Sequence, residues 1–479
     1  MKKLIHLFII IFCLTSITYA QSVKKYSPQE VKDDLKYMYD ILEKSSYDLF
    51  ALNSKENMDK MYSNIYHSIN DSLSRMGTFR LFKPFVASVK MSHCFMYYPW
   101  QEFINDYAKN GGTVFPMNIC FADGKVLVKN NFSTNQNIDE YDEITAINGK
   151  SIEQFMDDFH KYLSGPSKYF NNALIERRLF PRLYWYFYDE QQSFPLTIRK
   201  KDGQVLELIV KAIPVNEFEE KNKNSKPERK RERKFDFLKN KTAYLLPGEF
   251  INYNSNSDMN AAETWDNTEF CQFIDSAFNI FNKKNIKNLI IDLRDNMGGD
   301  NSFSDYMIAY FADTTFRIAS SMRMKTSQHT KDIWKDIDIP EVQDIKKQIM
   351  SLENGSRFDA PIPQTDPHLE SKRFKGNVYV LINRYSYSNT AMTACIIQDY
   401  GFGEIIGEET TDEVSSYGAL HVFELPNTKW TVSYPKAFFI RPNGDPTPRG
   451  VVPDHIMIDD LTTAKDEILE YTLKLIESK

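Results

Sequence analysis

Glycine is scarce in this chain, 18 among 479 residues, where roughly 7% is usual. A glycine pair therefore marks a place where the backbone needs one. Cysteine is also sparse, five in all and with no C-x-x-C spacing, which argues against a zinc site and a disulfide-dense fold. Cys94, Cys120, Cys271 and Cys395 read as buried thiols, with one disulfide left open. Beyond the first twenty residues no run is apolar enough for a membrane-spanning helix. Positive charge is not in excess: Lys+Arg 59 against Asp+Glu 65 leaves a net charge of -6. Such a chain offers no basic field for a phosphate backbone, and nucleic acid is set aside as the main partner. No His, Cys and acid cluster has ligand spacing, and neither a phosphate loop nor a dinucleotide fingerprint occurs, so no metal and no cofactor is expected.

What is present suits a multi-domain globular protein. Apolar residues make up 42% and charged residues 26%, and a chain of this length favours two to four folding units. Residues 1–20 carry Lys2-Lys3, a largely apolar run and then Thr18-Tyr19-Ala20, the three-part layout of a secretory signal peptide. The expectation is cleavage after Ala20 and export of a soluble chain, periplasmic or extracellular, with no membrane span after cleavage.

Residues 21–110 form a helical unit, in which Val31, Leu35, Met38, Tyr39 and Leu42 recur at helical spacing behind a Ser27-Pro28 start. It runs into Ser92-His93-Cys94. Residues 111–215 hold short β-rich runs around Asp142-Glu143-Ile144-Thr145-Ala146-Ile147-Asn148-Gly149-Lys150. Asn148-Gly149 there sets a tight turn between a strand and a helix starting near Ser151. This phrase resembles the signature of a PDZ-like domain, which captures extended peptide by strand addition; any small β-rich domain with a turn is the plainer reading.

Residues 216–240, with eight basic residues from Lys221 to Lys234, read as a charged, solvated linker. From 241 to 479 strands at 243–246, 289–293 and 378–382 alternate with helices at 269–281 and 389–398, the pattern of an α/β unit with a largely parallel sheet. The stretch 320–363 looks like a charged, loop-like excursion, flanked by His329 and His368 as surface residues.

Two strands end in chemically loaded turns, where ligand sites of such sheets lie. The first is Asp292-Leu293-Arg294-Asp295-Asn296-Met297-Gly298-Gly299-Asp300, whose glycines let backbone N–H groups face a reacting centre. As a plain turn, it would use Asp292 and Arg294 to pair with each other. The second is Asn383-Arg384-Tyr385-Ser386-Tyr387-Ser388-Asn389-Thr390, opening a helix. Helix capping is the bland account of any one of its Ser, Thr and Asn residues, whereas a nucleophilic serine needs a base. Among the eight histidines, His93, preceded by Ser92, is the most chemically suggestive.

In order and spacing these phrases, with Gly407-Glu408-Glu409-Thr410 and the late Gly450-Val451-Val452-Pro453-Asp454, resemble the C-terminal processing, or tail-specific, serine peptidases. The likeness is strongest to their subgroup related to the tricorn core. The resemblance implies a crotonase-like α/β peptidase core acting on peptides or unfolded polypeptide near C-terminal ends. It places the nucleophile on Ser388 and oxyanion donors on Asn389 and the Gly298-Gly299 turn. The version of the family with a lysine base would need it at Glu413, so that version is excluded. The histidine version fits Ser92-His93. Its glutamate falls on Thr447, which leaves Asp445 as a substitute acid, Thr447 itself as an orienting hydroxyl, or an incomplete relay. The expectation is a serine endopeptidase working through an acyl-enzyme on Ser388 with His93 as base. The alternative is a catalytically silent relative that holds peptide in the PDZ-like unit and the cleft.

Overall fold

The computed structural model describes residues 24–225, 232–252, 262–463 and 465–479; the segment read as a signal peptide lies outside them. The helical unit begins as its sequence dictates. Ser27 caps the helix Pro28–Ser45 in a reciprocal box with Glu30, whose carboxylate accepts from the Ser27 amide at 2.7 Å. Val31, Leu35, Met38 and Leu42 are fully buried along one face. Two further helices, Lys55–Ser68 and Arg75–Ala87, complete the bundle. The chain then leaves it: the two-residue strand Phe95–Met96 pairs antiparallel with Thr431–Ile440, Met96 opposite Val432 and Phe95 opposite Ser433.

Next comes an antiparallel sheet in the order Val205–Lys211, Ser193–Arg199, Glu143–Ile147, Lys125–Asn131, Met117–Ala122. Asn148 and Gly149 both take positive φ in the anticipated turn, and Ser151 caps the helix Ile152–His160. The helices Lys168–Arg178 and Phe180–Phe187 were not legible in the sequence. The second buries seven of its eight side chains, and a helix apolar on nearly all sides has no 3.6-residue stripe to read.

The span taken as a linker is ordered at both ends. Val215–Asn224 is a helix that buries Val215 and Phe218, and Lys234–Leu238 is an edge strand antiparallel to Thr242–Leu246; residues 226–231 lie outside the described ones. From Thr242 onward five strands form a parallel run in the order Thr242–Leu246, Asn288–Asp292, Asn377–Ile382, Glu404–Gly407, His455–Ile456, while Ser321–Lys325, Arg357–Asp359, Tyr417–Glu424 and Thr431–Ile440 make a separate antiparallel sheet. Alternation splits the side chains of the parallel strands between two layers. Leu289, Ile291, Val380 and Ile382 face the helices Thr268–Lys283, Asn301–Ile308 and Asn389–Asp399, while Ile290, Tyr379, Leu381 and Ile406 face the C-terminal helix Glu467–Ser478.

The excursion at 320–363 is not a loop. It contains the strands Ser321–Lys325 and Arg357–Asp359, the helices Gln328–Trp334 and Gln343–Ser351, and an apolar cluster around Met322, Trp334 and Ile349. Its charged residues lie on the outer faces of short elements, which hid them. His329 and His368 are half-buried against aromatic rings, His329 beside Tyr434 and His368 beside Tyr310. Cys94, Cys120, Cys271 and Cys395 are all free thiols, the last three positions on different elements and only Cys271 partly exposed.

Candidate active site

Three neighbouring parallel strands, Asn288–Asp292, Asn377–Ile382 and Glu404–Gly407, deliver loops 293–300, 383–388 and 408–413 to one end of the sheet. The first loop is anchored by Arg294, a fully buried guanidinium that donates to both Asp292 oxygens at 2.9 and 2.7 Å and to Asp466 at 2.6 Å. Asp292 and Arg294 thus hold the turn and do no chemistry. The second loop is tied to the first: the Asp295 amide donates to Asn383 Oδ1 at 3.1 Å, Asn383 Nδ2 to Asp295 Oδ1 at 2.8 Å, and the Tyr387 amide to the Asn296 carbonyl at 3.0 Å.

The two serines of the second loop differ. Ser386 is buried, its Oγ donating to the Leu293 carbonyl at 2.9 Å while accepting from the Asn383 amide at 3.1 Å, so it is structural. Ser388 precedes the helix Asn389–Asp399 without capping it with its side chain. Its backbone takes φ 55°, ψ -126°, a strained state for a residue with a Cβ. The strain turns Oγ out of the helix start and toward His93, whose Nε2 lies at 3.3 Å.

His93 comes from 295 residues earlier in the chain. The pairing of Phe95–Met96 with Thr431–Ile440 holds it there, with Ser433 Oγ donating to the His93 carbonyl at 3.1 Å. Its ring stacks on Tyr387 at a centroid separation of 5.5 Å. On its far side Nδ1 is 3.0 Å from Ser92 Oγ, and Ser92 Oγ donates to Asp412 Oδ1 at 3.0 Å. A serine hydroxyl has one proton. Because that proton goes to the Asp412 carboxylate, Nδ1 is the N–H donor toward Ser92, and Nε2 presents its lone pair to Ser388. Burial lowers the His93 pKa, opposed by the Asp412 charge and the Tyr417 carbonyl, and so keeps the imidazole neutral.

Asp412 is the residue that the sequence reading missed. Its other oxygen accepts from the Ser388 amide at 2.8 Å, so one buried carboxylate braces both the Ser388 backbone and Ser92 behind His93. Burial raises its pKa, while His93, the Ser388 amide and Ser92 oppose the rise. Its loop is itself braced, since the Val451 amide donates to Thr410 Oγ1 at 2.9 Å and Asp454 accepts from the Ile405 amide at 2.8 Å. The signal that points to it is its place in the loop beyond a parallel strand, the rule that marked the other two turns.

Asp445 is not brought to the site. It sits in an exposed loop and accepts from the Thr447 amide and hydroxyl at 2.9 and 2.6 Å, a local turn that also accounts for Thr447. The oxyanion donors need one revision as well. The Gly298 amide donates to Asn296 Oδ1 at 2.9 Å and is committed there. Gly298 is nonetheless indispensable in shape, because a Cβ on it would lie 2.7 Å from the Asn389 amide nitrogen and the Tyr387 carbonyl. The carbonyl of Gly298 accepts from the Phe250 amide at 2.9 Å. In a trans peptide the N–H of Gly299 points the opposite way, away from Phe250. Gly299 and Asn389 therefore remain as the anticipated donors.

Comparison with known proteins adds to this geometry. Residues 258–457 match the model of peptidase family S41. That span carries both loaded turns of the parallel sheet. S41 members are serine peptidases, and the matched span holds Ser388, Gly298, Gly299 and Asp412 but not His93. Among solved structures, mature CPAF aligns at 13% identity over 94% of this chain and 96% of its own, with a TM-score of 0.60. Mature CPAF complexed with lactacystin gives 13%, 94%, 97% and 0.60. Both likenesses extend the shared fold through the helical and antiparallel units that precede the S41 span. No curated protein sequence matches the chain.

Proposed function

We propose that this chain is an exported S41 peptidase and cuts peptides or flexible polypeptide tails through an acyl-enzyme on Ser388, with His93 as general base. The observation that carries the reading is the contact of Ser388 Oγ with His93 Nε2 at 3.3 Å, backed by Ser92 and Asp412. Ser388 Oγ attacks the scissile carbonyl carbon as its proton passes to Nε2. The imidazolium that forms is stabilised through Ser92 by the Asp412 carboxylate. The carbonyl oxygen, now negative, takes hydrogen bonds from the Gly299 and Asn389 amides. When the C–N bond breaks, Nε2–H gives its proton to the leaving amine; water then repeats the sequence on the ester and releases Ser388.

The antiparallel unit supports a peptide substrate. Its edge strand Val205–Lys211 leaves Ile209 71% exposed, a row to which an extended segment can add as in PDZ-like recognition. Export rests on residues 1–20 alone; among the described residues no helix is long and apolar enough to cross a membrane. The silent-relative alternative rests on the lysine absent at Glu413 and the glutamate absent at Thr447; the contacts of His93 with Ser388 and of Asp412 with Ser92 support the active reading over it.

A serine-directed fluorophosphonate tests the reading, applied to wild type, Ser388→Ala and His93→Ala with mass mapping of the adduct. An adduct on Ser388 that needs His93 is expected, and folded wild type that takes no label would overturn the activated serine. Lactacystin, complexed with mature CPAF in one solved structure, is a second probe.

A further inference from the structure

Beside the Ser388–His93 pair lies a cavity of about 90 Å³, room for several water-sized groups. Its wall includes Ser92, Met297, Tyr387 and Thr411. The first is the relay serine, and the other three adjoin the glycine turn, the nucleophile and the buried acid in sequence. Lys83 lines it from the helical unit and Arg178 from the helix Lys168–Arg178, beside two further cations that are already engaged, Arg384 with Glu408 at 3.0 Å and Arg177 with the Tyr385 carbonyl at 2.8 Å.

The charge of this wall is one-sided. Lys83 is fully buried; it donates to the Met96 carbonyl at 3.2 Å and stands 4.5 Å over the Tyr98 ring. Arg178, exposed at the rim, approaches the same ring at 5.7 Å. Among the described residues neither has a carboxylate partner. The neighbouring Glu176 is committed elsewhere, accepting from the Phe121 amide at 2.7 Å and the Tyr385 hydroxyl at 2.8 Å. Ser164, 5% exposed, lines the same cavity with an Oγ that has no hydrogen-bond partner. A buried ammonium with no counter-ion is costly, and burial accordingly pushes Lys83 down to about 7. An anion in the cavity would remove that cost and satisfy Ser164. A carboxylate is the anion that a peptide carries of its own accord.

We infer that this cavity is a carboxylate subsite, in which Lys83 and Arg178 hold an acid group of the polypeptide being cut, either its C-terminal carboxylate or an Asp or Glu side chain near the scissile bond. The inference rests on the peptidase reading. Salt between the two cations and the acid group would be charge-assisted and short-range, so it selects substrate and does not enter the bond-breaking steps.

The test compares three peptide series of one neutral core: free C-terminal acid, C-terminal amide, and amide with single Asp or Glu placed along the core. Cleavage is measured with wild type, Lys83→Met and Arg178→Met, and binding with each change on a Ser388→Ala background. Wild type is expected to favour one acid series over the neutral amide about tenfold in KM, and each substitution to bring that ratio toward one. Preference for the free acid identifies the chain end, and preference for the Asp or Glu series identifies a side chain. Equal treatment of all three series by wild type, or a ratio that survives both substitutions, overturns the subsite. Should Lys83→Met fail to fold by thermal melting, the surface change Arg178→Met decides. Acid-selective binding without any cleavage would overturn the peptidase reading and leave the subsite standing; cleavage without acid selectivity would do the reverse.

Discussion

Two loops near the end of the parallel sheet each carry an aspartate that chemistry could use, and they have opposite fates. Asp445, in an exposed loop, spends its carboxylate on Thr447 two residues away. Asp412, 3% exposed, spends its own on Ser92 and on the Ser388 amide, which lie 320 and 24 residues away in sequence. A carboxylate in water makes a turn, whereas one withdrawn from water must be met by donors on other segments, and so becomes a link between them. The difference is one of surroundings, not of residue type.

The largest effect that would sharpen this contrast lies at the nucleophile. Ser388→Ala and His93→Ala should each lower turnover by roughly 10⁴-fold or more. Ser388→Gly should be as inactive as Ser388→Ala yet melt higher, by about 1 kcal/mol, because glycine relieves the positive φ. Equal stability of the two variants would refute the strain. Asp412→Asn is expected to cost roughly 10²- to 10⁴-fold in kcat. Gly298→Ala should cost about 10²-fold or more, since its methyl would push the Asn389 amide out of place. Retention of wild-type kcat by this variant would show that the turn yields. Asp445→Asn, by contrast, should change activity less than about twofold and stability within about 0.5 kcal/mol; a large loss there would break the comparison outright.

The same contrast appears against pH. As the proposed base, His93 would act only when neutral, and burial lowers its pKa from the ordinary 6.5. kcat/KM should therefore stay level from neutral pH into the ordinary histidine range and fall only at lower pH, and a fall centred above 6.5 would contradict the buried, neutral base. Asp412 has its pKa raised in the folded state above 3.8. The folded chain then binds that proton more tightly than the unfolded one, so this group's contribution to stability is present below 3.8 and is lost as pH rises through the folded value. Removing the charge should accordingly leave Asp412→Asn as stable as wild type at neutral pH, or more so, while it loses activity. Thermal melts across pH check this.

Much of the core was legible because its strands and helices are long enough to show their period, and because Gly298-Gly299 and Ser388 stand where parallel strands end. His93 stood out by the serine before it and its place after an apolar helix, and the resemblance supplied its role, but no local pattern shows that a two-residue strand carries it to a sheet made near the other end of the chain. Asp412 escaped because the reading looked for its acid beside Gly450, where the family pattern put it. The Gly450-Val451 phrase instead braces Thr410 from behind, and the acid emerges from the braced loop. Phe180–Phe187 and the elements of 320–363 escaped for the opposite reasons, too uniformly apolar in one case and too short and charged in the other.

The pairing of Phe95–Met96 with Thr431–Ile440 also sets an order of events in the life of the molecule. A nascent chain exposes its histidine early and its serine much later, yet nothing holds the two together until residues 432 and 433 have been made and have folded back onto the first strand. A copy truncated before residue 432 therefore lacks the strand that carries His93 to Ser388, and the proposed pair assembles only once that strand is in place.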